Sequence, residues 1–289
     1  MSRAHAQALI AVSLMGSVPM MVKGIEANPW TIGIVRLLIA TVCVAVFLKD
    51  GRRVFQHRAE FKPLFLIGLA FALHWATYFI SIKMADASIA AIGTATYGIF
   101  AAMLGSVMLG QVPNRIQVFA ILISLVGAVL VVGEYSIGSE MTVGFIFALV
   151  SAILYAFVPI LHQKHVHIPV NVRTLAQYLF ALPVFVIALP WSNWDLKPID
   201  WGGMLYLGIV NTVIAHTLWI RSSSVLPAYM SGILFYLYVP ISMILCHQFL
   251  GEEMGWMRIT GAAMIVVASV LGMRSQLAKR PGKQAAADG

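Results

Sequence analysis

Two histidines sit inside strongly apolar stretches, His74 in FALHWATYFI and His216 in GIVNTVIAHTLWI, and each has a tryptophan close behind it, Trp75 and Trp219. Tyr78 follows His74 at a spacing of four, which places both on one helical face. Other apolar runs contribute Tyr97, Tyr155 and Tyr238, and also Thr94, Tyr236, Asn211 and Thr212. A polar side chain in hydrocarbon costs free energy unless it faces protein or a water-filled cavity. These residues therefore point to a central binding cavity, where aromatic faces hold an organic solute and imidazoles and hydroxyls bond its polar part. The competing expectation puts tyrosines and tryptophans near span ends into interfacial belts and lets threonines bond their own helix backbone.

Arg36 is the only lysine or arginine expected well inside a span. At the bilayer centre an arginine costs about 2.5 to 3.5 kcal/mol on insertion scales. It could clamp a substrate carboxylate. It could also snorkel to the outer headgroups or bond carbonyls at a helix end, and its depth favours snorkelling. Lys23 carries the same two readings and is expected to be an interfacial anchor. Pro19 and Pro159 each remove a backbone donor within a span, so they are candidate hinges, or else fixed packing kinks. Gly93, Gly98, Gly105 and Gly127 are expected to permit close helix contact.

No Asp or Glu falls deep in a span. If protons drive the protein, His74 or His216 must titrate; otherwise it works as a facilitator or exchanger. An intramembrane hydrolase would need H-E-x-x-H, paired aspartates or a Ser-His dyad. The first two are absent, and Ser17, Ser106 or Ser151 near a histidine is a common coincidence. A channel is the other rival. His162, His165 and His167 match no zinc spacing and are expected in a solvated loop. Cys43 and Cys246 read as buried thiols, and neither a metal nor a cofactor is expected.

The elements that must carry these residues are apolar helices. Hydrophobic residues make up 60% of the 289 positions and charged ones only 10%, against roughly 25% in soluble domains. The net charge of +8 is spread over short loops and lacks the single basic stripe of a nucleic-acid binder. Runs long enough to cross a bilayer begin near positions 6, 29, 63, 87, 115, 143, 172, 202, 228 and 256. The chain is thus expected to be an all-α integral membrane protein of ten spans, with a lipid bilayer as its solvent. Lys and Arg gather in alternate loops, so both termini are expected in the cytoplasm.

An offset of 140 residues aligns Val18-Pro19 with Val158-Pro159, Pro29 with Pro169 and Gly68 with Gly208. An offset of 141 aligns Ala87 with Ala228, Tyr97 with Tyr238 and Leu109-Gly110 with Leu250-Gly251. Five crossings per half is an odd number, so the halves, 1–137 and 138–274, are expected to have inverted orientation, a design of secondary transporters that bind near the midplane. The first run resembles a cleavable signal, but its pairing with the sixth span argues that it is retained. Residues 275–289 read as a disordered basic tail.

The runs AVSLMGSVPMMVKGIEANPWTIGIVRLLIA, HWATYFISIKMADASIAAIGTATYGIFAAMLGSVMLGQ and GIVNTVIAHTLWIRSSSVLPAYMSGILFYLYVPISMILCHQFLGEE resemble the EamA-type ten-helix branch of the drug/metabolite transporter superfamily. The resemblance implies export or exchange of amino acids, other small metabolites or drugs at the cytoplasmic (inner or plasma) membrane. One position departs: the family usually carries an acid after Leu-Gly at the end of the fourth helix, where this chain has Gln111, while Glu252 keeps it in the second half.

Overall fold

The computed structural model describes residues 2–132 and 140–278, and every regular element among them is helical. The helices are α1 (Arg3–Met15), α2 (Val18–Gly24), α3 (Pro29–Phe47), α4 (Phe61–Met84), α5 (Ala87–Ala95), α6 (Tyr97–Leu109), α7 (Arg115–Val132), α8 (Glu140–Lys164), α9 (Val170–Ile187), α10 (Pro198–Tyr206), α11 (Thr217–Ser223), α12 (Ala228–Phe235), α13 (Tyr238–Leu250) and α14 (Trp256–Ala278). A π-helical segment, Leu207–His216, joins α10 to α11.

Eight helical stretches are long and apolar enough to cross a membrane: Arg3–Gly24, Pro29–Phe47, Arg58–Met84, Ala87–Leu109, Glu140–Lys164, Val170–Ile187, Pro198–Ser223 and Ala228–Leu250. Two further expected spans fall on α7 and α14, which include the apolar stretches Arg115–Gly127 and Ile259–Gly272. Large apolar side chains point outward along the helices, Val107 at 85% exposure and Phe47 and Ile187 nearly as much. Such a surface is stable in hydrocarbon and not in water. The chain is a multi-pass membrane protein. Helix α14 runs to Ala278, so positions 275–278 of the expected disordered tail are helical; positions 279–289 lie outside the described residues.

Three crossings are broken where the sequence supplies a reason. The first breaks at Gly16–Ser17, where Ser17 Oγ donates back to Leu14 O and Pro19 sits in the first turn of α2. The stretch Ala87–Leu109 breaks at Thr96, whose hydroxyl donates to Gly93 O at 2.6 Å, and the stretch Ala228–Leu250 at Tyr236–Leu237. Pro159, by contrast, lies within a continuous α8. Helix α3 starts cleanly because Asn28 accepts from the Trp30 and Thr31 N–H groups and Pro29 needs no donor.

Close helix contact holds at each of the four glycines singled out. A methyl on Gly93 would lie 2.5 Å from Ala148 Cβ, on Gly98 2.7 Å from the Tyr236 ring, on Gly105 2.6 Å from Ala228 Cβ and on Gly127 2.6 Å from Gly261 O.

Polar groups tie helix ends together across the sequence. Lys23 Nζ donates to Ala85 O at 2.7 Å and to Lys83 O at 3.2 Å, so it caps the C-terminus of α4. At the same end, Asp200 Oδ1 accepts from Glu26 N–H and Asn193 Oδ1 from Asn28 N–H. One loop expectation is corrected at the end formed by α8, α9 and α11. His162 is fully buried and bonds Gln177 Oε1 at 2.8 Å, because the last turn of α8 packs on α9. Beside it Arg173, near the start of α9, is 2% exposed and donates to Ile168 O, His162 O and Ser224 Oγ.

Candidate functional site

A cavity opens among the helices of both halves of the chain. From the first half, Arg36 comes from α3, His74, Trp75 and Tyr78 from α4, and Thr94 from α5. From the second, Tyr155 comes from α8, His216 from the π-helical segment, Phe235 from α12 and Tyr238 from α13. Its volume is about 20 Å³, room for roughly a single water, so a solute enters only if the walls move apart.

His74 lies in a stack, its ring 4.1 Å from that of Tyr155 and 5.9 Å from that of Tyr78, both nearly parallel. Its Nδ1 is 2.7 Å from Ser151 Oγ and 3.1 Å from Ser151 O. Ser151 Oγ in turn donates to His74 O at 3.1 Å. A carbonyl can only accept, so the contact to Ser151 O makes Nδ1 the donor, and the serine hydroxyl has its own acceptor in His74 O. That polarity is the reverse of a base activating a nucleophile, so this Ser-His contact is not a hydrolytic dyad.

His216 is held in the same tautomer. Its Nδ1 donates to Asn211 O at 2.6 Å, a carbonyl five residues back that the π-helical winding brings into line. Its ring packs edge-on against Trp75 at 5.6 Å. The same segment directs Thr212 to α3, where its Oγ1 accepts from Arg36 Nε at 3.1 Å while donating to Leu207 O. Asn211 meets Ser17, the residue at the break between α1 and α2.

Arg36 overturns the snorkelling expectation. It is 0% exposed, its guanidinium carbon stands 4.0 Å above the Trp75 ring, and the Phe79 ring is 5.2 Å away. The side chain turns inward because Thr212 and the indole face supply a bond and a cation-binding surface that lipid tails cannot. Tyr78 and Tyr238 bond through their hydroxyls across the cavity, joining α4 to α13.

Two expected residues stand one ring behind the wall. Tyr97 packs on Tyr155 and Phe235, both at 4.9 Å, and Trp219 on Phe235 at 5.4 Å. Met15, Val18, Phe79 and Phe235 line the cavity and carry no polar signal to reveal them. The internal repeat does reveal two: Met15 is the mate of Tyr155 at an offset of 140, and Phe235 that of Thr94 at 141.

A separate cluster lies away from the cavity. One ligand atom each from Glu60, His165 and His167 falls within 4.8 Å of the others, and His167 Nε2 is 3.1 Å from Glu60 Oε1. Partial burial, reinforced by the charges of His167, Lys164 and Arg173, holds His165 below the usual imidazole range despite Glu60.

This arrangement of helices has known relatives. One solved structure, described only as "Crystal structure of protein", superposes with a TM-score of 0.79 at 17% identity, covering 98% of this chain and 99% of its own; it shows the fold alone. The "Uncharacterized transporter YxxF" of Bacillus subtilis (strain 168) is 24% identical over 292 residues, which cover 98% of this chain and 92% of that protein. The model of the EamA-like transporter family matches twice, over residues 2–133 and again over 142–274. A membrane protein of this helical build, matched along nearly its whole length, belongs to the EamA-like transporter family.

Proposed function

We propose that this protein is a secondary transporter that exports or exchanges a small organic metabolite, amino acids among the candidates, by alternating access around the central cavity. Ten crossings in two inverted five-helix halves, with both termini cytoplasmic in the cell membrane, form its frame. The twofold family match supports that frame, as do paired features at one offset: the left-handed glycines Gly110 and Gly251, and the helix starts at Tyr97 and Tyr238. Pro19, beside the break in the first crossing, and Pro159 are the proposed hinges.

The observation that carries the reading is the cavity itself, walled by polar and aromatic side chains of both halves and too small to hold a solute without movement. Rocking of one half against the other widens it toward one face at a time. His74, Trp75, Tyr78, Tyr155, His216, Tyr238 and Arg36 contact the solute, with Tyr97 and Trp219 backing them. Where a proton gradient assists, His74 and His216 are the groups that carry it.

The test is uptake and counterflow in liposomes containing the purified protein, over a metabolite panel and with and without a pH gradient. A transporter saturates and exchanges labelled for unlabelled solute, and His74→Ala impairs this while the variant still inserts. Flux that rises linearly with concentration and shows no counterflow would indicate a channel and defeat the proposal.

A further inference from the structure

We infer that the central cavity selects small organic acids, and that Arg36 binds their carboxylate. This rests on the cavity being the transport site proposed above, and it adds the chemical class of the solute.

Among the described residues two arginines are buried to 2% exposure or less, and they differ in how their donors are used. Arg173 spends its donors on protein acceptors: Nε on Ile168 O at 2.9 Å, and Nη1 on His162 O at 2.7 Å and Ser224 Oγ at 3.1 Å. It is dressed as a structural tie. Arg36 spends only Nε, on Thr212 Oγ1; its Nη1 and Nη2 are buried with no hydrogen-bond partner. Its flat face rests on Trp75, so the free edge carrying both Nη groups is the part left to meet a ligand at the cavity wall. Four N–H donors in one plane are the complement of a carboxylate, which takes two of them side by side.

The rest of the cavity supplies no counter-charge. Its lining contains no Asp or Glu, and the ion pairs Arg53–Asp50, His167–Glu60 and Lys197–Glu26 involve none of its residues. Both imidazoles donate from Nδ1 to Ser151 and Asn211, so neither provides an anion. An unpaired buried cation is costly, and a ring face returns only part of that cost. A monoanion completes the site. A cationic solute would meet Arg36 unscreened, and a phosphate dianion would find one cation for two charges. The aromatic walls and Met15 suit an apolar body behind the carboxylate.

The test is thermal stabilisation of the full-length protein in detergent by propionate, benzoate and phenylacetate, each set against its carboxamide and its amine analogue. The acids are expected to bind at least about tenfold more tightly than the amides, the amines not at all. Arg36→Gln should abolish the preference and Arg36→Lys should keep part of it. The wild-type comparison decides the matter even if Arg36→Gln does not fold. Equal stabilisation by acids and amides, or by none of the probes, overturns the inference, and so does transport confined to neutral or cationic solutes. Acid-selective binding without any flux in liposomes would sustain the anion site and defeat the transport reading.

Discussion

Gln111 Oε1 accepts the backbone N–H of Ala228 at 2.7 Å, so a residue just past the end of α6 caps the start of α12. The reciprocal contact is made by Glu252, whose carboxylate accepts from Ala87 N–H at 2.8 Å and Ser88 N–H at 3.2 Å and also bonds the Ser88 hydroxyl. Gln111 and Glu252 are repeat mates, as are Ala87 and Ala228. Each half thus satisfies orphan donors at a helix start in the other. The amide, where the resemblance implies an acid, fits its local partners. Gln111 Nε2 donates to Gln163 Oε1 at 2.6 Å, and Gln163 cannot turn its amide round because its Nε2 already serves Ser223 O and Leu226 O.

Gln111→Glu is therefore expected to destabilise the protein, by about 1 to 3 kcal/mol, since a carboxylate oxygen would face the Gln163 oxygen with no proton between them. The gain from a negative charge at a helix start is smaller, about 0.3 to 1 kcal/mol. Glu252→Ala should cost about 1 to 2 kcal/mol, at the upper end of cap losses, because it strips several donors at once. Thermal unfolding in detergent reads both. A Gln111→Glu variant as stable as wild type would refute the account of the amide.

The glycines before these caps make a second prediction. Gly110 and Gly251 have φ of 66° and 70°, which turns the chain so that the next side chain reaches the other half. No atom lies within 4 Å of a methyl built on either. Gly110→Ala and Gly251→Ala should each lower stability by about 1 to 2 kcal/mol through backbone strain alone, and Asn at either position should recover part of that loss. Gly202, whose added methyl likewise meets nothing and whose φ is not in that region, serves as control, and its replacement by Ala should leave the midpoint unchanged or slightly raised.

The hydroxyl pair Tyr78–Tyr238 yields a third. Both rings are 5% exposed or less, so removing one hydroxyl leaves the other without its partner, at about 1 to 3 kcal/mol. Tyr78→Phe combined with Tyr238→Phe should cost no more than the worse single change, because two apolar edges then meet. A double-mutant cycle on the unfolding midpoint measures the coupling, expected within about 0.5 to 3 kcal/mol. Strict additivity would show that the two hydroxyls do not depend on each other.

Much of this site was legible in the sequence because lipid makes polar residues conspicuous. His74, Tyr78, Tyr155, His216 and Tyr238 all reach the cavity, and each is a polar or amphipathic group within an apolar run. Phe235 and Met15 carry no such contrast and were missed; only their pairing with Thr94 and Tyr155 in the repeat offers a signal for them. Arg36 was misread for a physical reason: its distance from the helix end permits snorkelling, and the decisive partners, Thr212 and Trp75, belong to other crossings. The breaks at Gly16–Ser17 and Thr96 and the π-helical winding at Leu207–His216 were not foreseen either. They depend on local back-bonding and packing, which apolar composition does not encode.

Arg36 also bears on how the carrier returns. An acid bound to its guanidinium leaves the cavity close to neutral, whereas an empty carrier must pass through the occluded arrangement with a cation buried at 0% exposure and two nitrogens unbonded. The residual penalty for such a charge is a few kcal/mol in proteins, and each 1.4 kcal/mol slows a step tenfold. Exchange of one acid for another should then outrun net efflux by at least about tenfold. In liposomes loaded with a labelled acid, adding the same unlabelled acid outside should accelerate release by that factor, and an uncharged amide outside should not. If the loaded and the empty carrier reorient equally fast, release will not respond to the outside acid, and the charge on Arg36 does not govern the return step.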